Sequence, residues 1–198
     1  SRCQRFDFRR ISSETITKTL HEICKKEKIK IDDDALFTIA KAADGSLRDS
    51  QSILDQIAAS TEGKISKQDV VRSLGVLNEE KLTELTDALA KKDAAAALWV
   101  LDGALNEGKD PGLFMEKLLE HVRNLLFLSV SEGLSGLIDA TESYKKSLLK
   151  QKAEFSKEEL FYFFSVISHT LQILRRFEMK RIPVEMALVK LAHRAPVE

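Results

Sequence analysis

Gly45-Ser46-Leu47-Arg48-Asp49-Ser50-Gln51-Ser52-Ile53-Leu54-Asp55-Gln56-Ile57 reads as a glycine break followed by a capped amphipathic helix. Ser46 is placed to accept the backbone N–H of Asp49, and Asp49 to reach back toward the Ser46 N–H, a capping box with Asp in place of Glu. Leu47, Ser50, Leu54 and Ile57 follow at i, i+3, i+7 and i+10, a stripe that anchors one face in a core. Arg48 falls outside both the stripe and the cap. A guanidinium on a rigid helix start suits a phosphate, because its planar fork pairs two oxygens and never loses its charge. The competing reading is an ordinary surface arginine, or a partner of nearby Asp44, since isolated exposed charges contribute little.

Outward from this stretch the periodicity is helical almost throughout. Ser12 or Ser13 opens a helix with Ile16, Leu20, Ile23 and Cys24 on one face, ending near Lys28. A second begins around Asp33 and carries Leu36, Ile39, Ala40 and Ala43 to the Asp44-Gly45 break. The Arg48 helix stops at Ser60-Thr61-Glu62-Gly63, and a short fourth, capped by Ser66, carries Val70, Val71 and Leu74 up to Gly75. From Asn78 the helices lengthen. Asn78 and Asp93 cap two of them, and Asp110-Pro111 opens a third by cap-then-proline. After a looser region at 133–139 and a lysine-rich helix near 141–152, Ser156-Lys157-Glu158-Glu159 is a capping box. The helix it starts is apolar nearly all round. It is expected to be the central helix of its domain, or else to bury one face against another subunit. The fold expected is all-α: a small helical domain over 12–77 and a helical bundle over 78–198, with 1–11 alternating like a strand leaving a sheet.

Composition narrows the function. Lys+Arg and Asp+Glu both number 31, so the formal charge of zero lacks the footprint of an autonomous nucleic-acid binder. The basic pairs Lys25-Lys26, Lys91-Lys92, Lys145-Lys146 and Arg175-Arg176 mostly flank helix ends, where solvation and the helix dipole explain them. No apolar run reaches membrane-spanning length and no signal sequence is present; with only two cysteines this points to the cytoplasm. Cys3 and Cys24 form no Cys-x-x-Cys pair, which argues against a zinc site and a disulfide framework. His21 and Cys24 stand at i, i+3, but two ligands without a second pair favour Cys24 as a core residue and His21 at the boundary; no metal site is expected. No Gly-x-x-x-x-Gly-Lys-Ser/Thr loop occurs, so the chain by itself is expected not to hydrolyse ATP.

Three motifs together resemble the gamma/tau (DnaX) family of the bacterial DNA polymerase III clamp loader. They are Ser1-Arg2-Cys3 with its Gln4-Arg5-Phe6 exit, Gly45-Ser46-Leu47-Arg48-Asp49, and Ile182-Pro183-Val184-Glu185-Met186-Ala187-Leu188-Val189-Lys190-Leu191. The resemblance implies that 1–11 end an AAA+ ATPase core, 12–77 form its lid, and 78–198 form the collar that assembles the loader. It implies that Arg2 is an arginine finger acting in trans on a neighbour's ATP, and that Arg48 is the sensor-2 arginine on the phosphates of its own subunit's ATP. ATP and magnesium are implied for the full-length protein, with none expected on this part alone. The implied partners are delta, delta-prime and further gamma/tau subunits through the collar, and the sliding clamp and primed DNA through the ATPase core. No membrane partner is implied. Ser50, where the family commonly has alanine, and Met179-Lys180-Arg181, in place of an Asn-containing turn, depart from the pattern. The other readings are a delta-prime or replication factor C type subunit, which shares Ser-Arg-Cys but has a poorer sensor-2 motif, and a helical interaction module with no nucleotide connection.

Overall fold

The computed structural model describes residues 10–75 and 79–194. The fold is all-α: among the described residues the only extended pairing is a single bridge between Ile31 and Ile65. The chain forms two compact units, one holding the residues through Gly75 with Asp139–Thr141, the other the remainder.

The first unit is built from α1 (Ser13–Glu27), α2 (Asp33–Ala42), α3 (Leu47–Ser60) and α4 (Lys67–Leu74). Ser12 caps α1 by accepting the Thr15 N–H, and α1 ends on Lys28 in the left-handed conformation. α2 packs against α1, α3 and α4. Ile16, Leu20 and Cys24 from α1, Leu36 and Ile39 from α2, Leu54 and Ile57 from α3, and Val70 from α4 close one core. Each such aliphatic side chain contributes about 1.5–3 kcal/mol on burial. Burial also pushes the Cys24 thiol above its usual pKa, so it stays a protonated hydrophobe. His21 is exposed instead of lying at the boundary, because its position turns away from the Leu20–Cys24 face. Ser66 and Asp69 make a full capping box at α4.

The second unit holds α5 (Glu79–Ala90), α6 (Ala94–Asn106), α7 (Pro111–Val130), α8 (Glu142–Gln151), α9 (Lys157–Leu174) and α10 (Arg181–Ala192). Asp93 caps α6 through the Ala96 N–H, and Asp110 Oδ1 accepts from both Gly112 (2.8 Å) and Leu113 (3.0 Å), with Pro111 at the first turn of α7. The expected Asn78 cap and the strand-like opening over 1–9 lie outside the described residues. The central helix is α7, not α9. It touches α5, α8, α9 and α10 and buries Phe114, Met115, Leu118, Val122, Leu125 and Leu128. α9 buries Leu160, Phe163, Val166, Ile167 and Leu174 against α7 and α10 but leaves Phe161 and Phe164 in solvent. Apolar residues all round it marked a helix with two apolar faces, of which the bundle covers one.

A buried polar network ties α5, α7 and α8 together. Gln151 Nε2 donates to the Thr83 carbonyl (2.8 Å) and to Asp87 Oδ1 (2.5 Å), so its Oε1 is the acceptor facing His121 Nε2 at 2.8 Å. With Gln151 Oε1 facing it, Nε2 is the donor; burial keeps the imidazole neutral, so Nδ1 accepts the Tyr144 hydroxyl. Burial lowers the His121 pKa to about 4, against the raising effects of the Gln151 bond and of the Asp87 and Glu120 charges. An unfolded histidine takes up its proton near pH 6.5, so this group's contribution is intact above that value and is lost as pH falls toward 4. The expected loss is about 3 kcal/mol. Urea unfolding at pH 7 and pH 4.5 should show most of it, and His121→Gln, which cannot titrate, should flatten the difference.

Candidate functional site

The turn between α2 and α3 positions the site. Asp44 (φ 45°) and Gly45 (φ 86°) are consecutive left-handed residues that reverse the chain after Ala43. The Ser46 hydroxyl accepts the Asp49 N–H at 3.2 Å, as the capping pattern predicts. The reciprocal half of the box is not formed, because the Ser46 N–H is already taken by the Ala43 carbonyl at 2.9 Å in the tight turn. Leu54 and Ile57 enter the core with Ser50, whose hydroxyl turns back onto the Leu47 carbonyl at 2.6 Å. Serine therefore replaces alanine here without leaving a buried polar atom unpaired.

Arg48 is in the first turn of α3 and exposed, and no hydrogen bond or ion pair of its guanidinium occurs among the described residues. Asp44, the partner that the competing reading offered, is instead paired with Arg10. What remains is a positive fork on a rigid helix beside backbone N–H groups of the first turn, an arrangement suited to phosphate oxygens. It offers one guanidinium and no glycine-rich cradle. Among the described residues no three His, Cys, Asp or Glu side chains come together as metal ligands. Arg2 lies outside the described residues.

The second unit carries a different kind of surface. Trp99 on α6 is 75% exposed; Ile182 and Met186 on α10 and Phe161 and Phe164 on α9 are also in solvent. α10 packs against both α6 and α9, so these residues belong to three neighbouring helices. Asp102, one turn beyond Trp99, holds Arg181 Nη2 at 2.8 Å, and Arg181 Nε holds Glu185 at 2.6 Å. Lys180 reaches Asp110 at 3.3 Å. The atypical Lys180-Arg181 pair thus supplies ion pairs that join α10 to α6 and to the cap of α7.

Two family models match consecutive stretches of the chain. Residues 15–63 match "DNA polymerase III clamp loader subunit, ATPase lid domain", and residues 65–198 match "DNA polymerase III subunits gamma and tau domain III". The chain belongs to the gamma and tau subunit family of DNA polymerase III. It is 31% identical over 192 residues to the DNA polymerase III subunit tau of Bacillus subtilis, which covers 96% of this chain and 34% of that protein. The DNA polymerase III subunit gamma/tau of Mycobacterium bovis is 30% identical over 194 residues, with the same coverage of 96% and 34%. The chain thus spans about a third of the length of these gamma and tau relatives. Among solved structures, the Bacillus subtilis DNA clamp loader delta protein shares the fold at a TM-score of 0.57 and 18% identity, over 93% of this chain and 57% of that one. The gamma and tau match decides against a delta-prime or replication factor C type subunit. Among the described residues no helix is long and apolar enough to cross a membrane.

Proposed function

We propose that this chain is the lid and collar portion of an ATP-driven clamp-loader subunit, which loads the sliding clamp on primed DNA in the cytoplasm. The lid is assigned to 12–77 and the collar to 78–198, with 1–11 closing the ATPase core. The observation that carries the reading is Arg48, unpaired among the described residues in the first turn of α3, inside the stretch matching the lid family. ATP held by the core would supply the transferable phosphoryl group, and a magnesium ion beside it would offset part of its charge. Arg48 then pairs phosphate oxygens of its own subunit's nucleotide, while Arg2 acts across the boundary on the neighbour's. Positioned guanidiniums stabilise charge that spreads over phosphoryl oxygens, and they register whether the third phosphate is present.

The collar reading assigns association with delta, delta-prime and further gamma/tau copies to the second unit, and contact with clamp and DNA to the core. Trp99, Phe161 and Met186 are exposed on α6, α9 and α10, and the Asp102–Arg181–Glu185 ion pairs join two of these helices, so the surface offers the apolar and charged residues that an interface with an apolar centre and a polar rim uses. Trp99→Asp in the full-length subunit should weaken assembly with its partner subunits about tenfold without unfolding it. Sedimentation velocity of the reconstituted loader measures this. If Trp99→Asp, Phe161→Asp and Met186→Lys all assemble like the wild type, the collar assignment is wrong.

A further inference from the structure

The residues just before α1 do not hang free of the site. The Ile11 N–H donates to the Gly45 carbonyl at 3.2 Å, and the Arg10 guanidinium pairs with Asp44. Gly45 is required twice over. Its φ of +86° is one that residues with a side chain rarely adopt, and a Cβ there would lie 2.7 Å from Arg10 Cβ and 3.3 Å from Arg10 Cα. The entering chain is thereby pressed against the turn that starts α3, and Arg48 lies three residues beyond Gly45 on a helix whose first turn is already capped.

We propose that Arg10, Asp44 and Gly45 form a clip that fixes the chain entering this unit against the start of α3, and so sets where Arg48 is presented to a nucleotide phosphate. They are positioning residues, and the proposal rests on the assignment of Arg48 made above. Chain from residue 9 backward leads to the part assigned as ATPase core. A hinge that let this segment swing would move the guanidinium relative to a nucleotide held upstream, and an error of about 1 Å at such a site is costly. The clip removes that freedom by three means: an ion pair, a backbone hydrogen bond, and a backbone approach that only glycine permits.

The test uses the full-length subunit in the reconstituted clamp loader and reads the KM and kcat of its ATPase, with thermal melting alongside. A folding defect lowers kcat in proportion to the active fraction and leaves KM alone, whereas a misplaced phosphate ligand raises KM. Gly45→Ala should raise the KM for ATP about tenfold. Asp44→Lys and Arg10→Asp should each raise it about threefold, consistent with an exposed pair. The swap Arg10→Asp with Asp44→Arg should return it to about the wild-type value, a rescue that a purely structural role for either residue alone would not give. If Gly45→Ala fails to fold, the two charge variants and the swap decide, since both side chains are largely exposed. Wild-type KM in Asp44→Lys and Arg10→Asp, in a loader that Arg48→Ala impairs, overturns the clip and leaves the sensor reading standing. A wild-type kcat/KM in Arg48→Ala overturns the sensor reading and the clip with it.

Discussion

Replacing Arg48 by alanine should lower kcat/KM for ATP-dependent clamp loading about 10²-fold while leaving the melting of the protein unchanged. The two halves of this expectation come from the same geometry. Arg48 is exposed and its guanidinium has no partner among the described residues, so truncating it removes no packing and strands no buried group. Such surface changes are usually within about 0.5 kcal/mol. A guanidinium meeting developing charge on a phosphoryl group in a site shielded from water contributes far more, on the order of 2.7–4 kcal/mol for comparable donors. Arg48→Lys should recover only part of the loss, because an ammonium is a point charge without the two-pronged fork. Normal loading by a complex carrying Arg48→Ala would end the sensor assignment, and a large drop in melting temperature would show that the residue has a structural partner instead.

The Arg48 helix was legible in the sequence because three local signals agreed: a glycine break, a serine cap, and a stripe at helical spacing. Such agreement also explains why the caps of α4, α6, α7 and α9 were readable, each being set by residues within three positions of one another. What was not legible depends on neighbours distant in sequence. The missing half of the capping box at Ser46 follows from the Ala43 carbonyl competing for the same N–H, and the pairing of Asp44 with Arg10 spans 34 residues. The rank of α9 was misjudged for a similar reason. An apolar circumference shows how much surface a helix could bury, but only packing shows that α7 occupies the middle and that Phe161 and Phe164 stay outside. His121 gave no signal as the centre of a polar network, since Tyr144 and Gln151 lie 23 and 30 residues away.

Arg194 is the side chain of the second unit whose loss should be felt most, with Arg194→Ala expected to destabilise that unit by about 3–5 kcal/mol. It is an arginine with 4% of its side chain exposed. Nε donates to Glu159 Oε1 at 2.6 Å; Nη1 donates to the Leu89 carbonyl at 2.7 Å and to the Leu191 carbonyl at 3.3 Å. The guanidinium also lies 5.1 Å from the centre of the Phe163 ring. One residue therefore joins the end of α5, the end of α10 and the start of α9. Glu159 is committed on its other side, where Oε2 accepts the Ser156 N–H at 3.0 Å and completes the cap of α9. Burial opposes its charge, but the Ser156 N–H and Arg194 outweigh this and hold its pKa below the usual carboxylate value. Alanine at 194 would leave that carboxylate half-buried without its counter-charge, take the arginine donor from the Leu191 carbonyl, and leave the Leu89 carbonyl with the Lys92 N–H at 3.1 Å, which is why the cost should exceed that of a surface pair. The expectation separates cleanly from a general packing loss. Adding Glu159→Gln, which keeps an acceptor for the Ser156 N–H but removes the stranded charge, should recover roughly half of the deficit, a non-additivity that a double-mutant cycle reads directly. Urea unfolding followed by circular dichroism gives all four stabilities. A single-mutant cost below about 1 kcal/mol, or strict additivity of the two substitutions, would show that the three helices are held by their apolar faces alone.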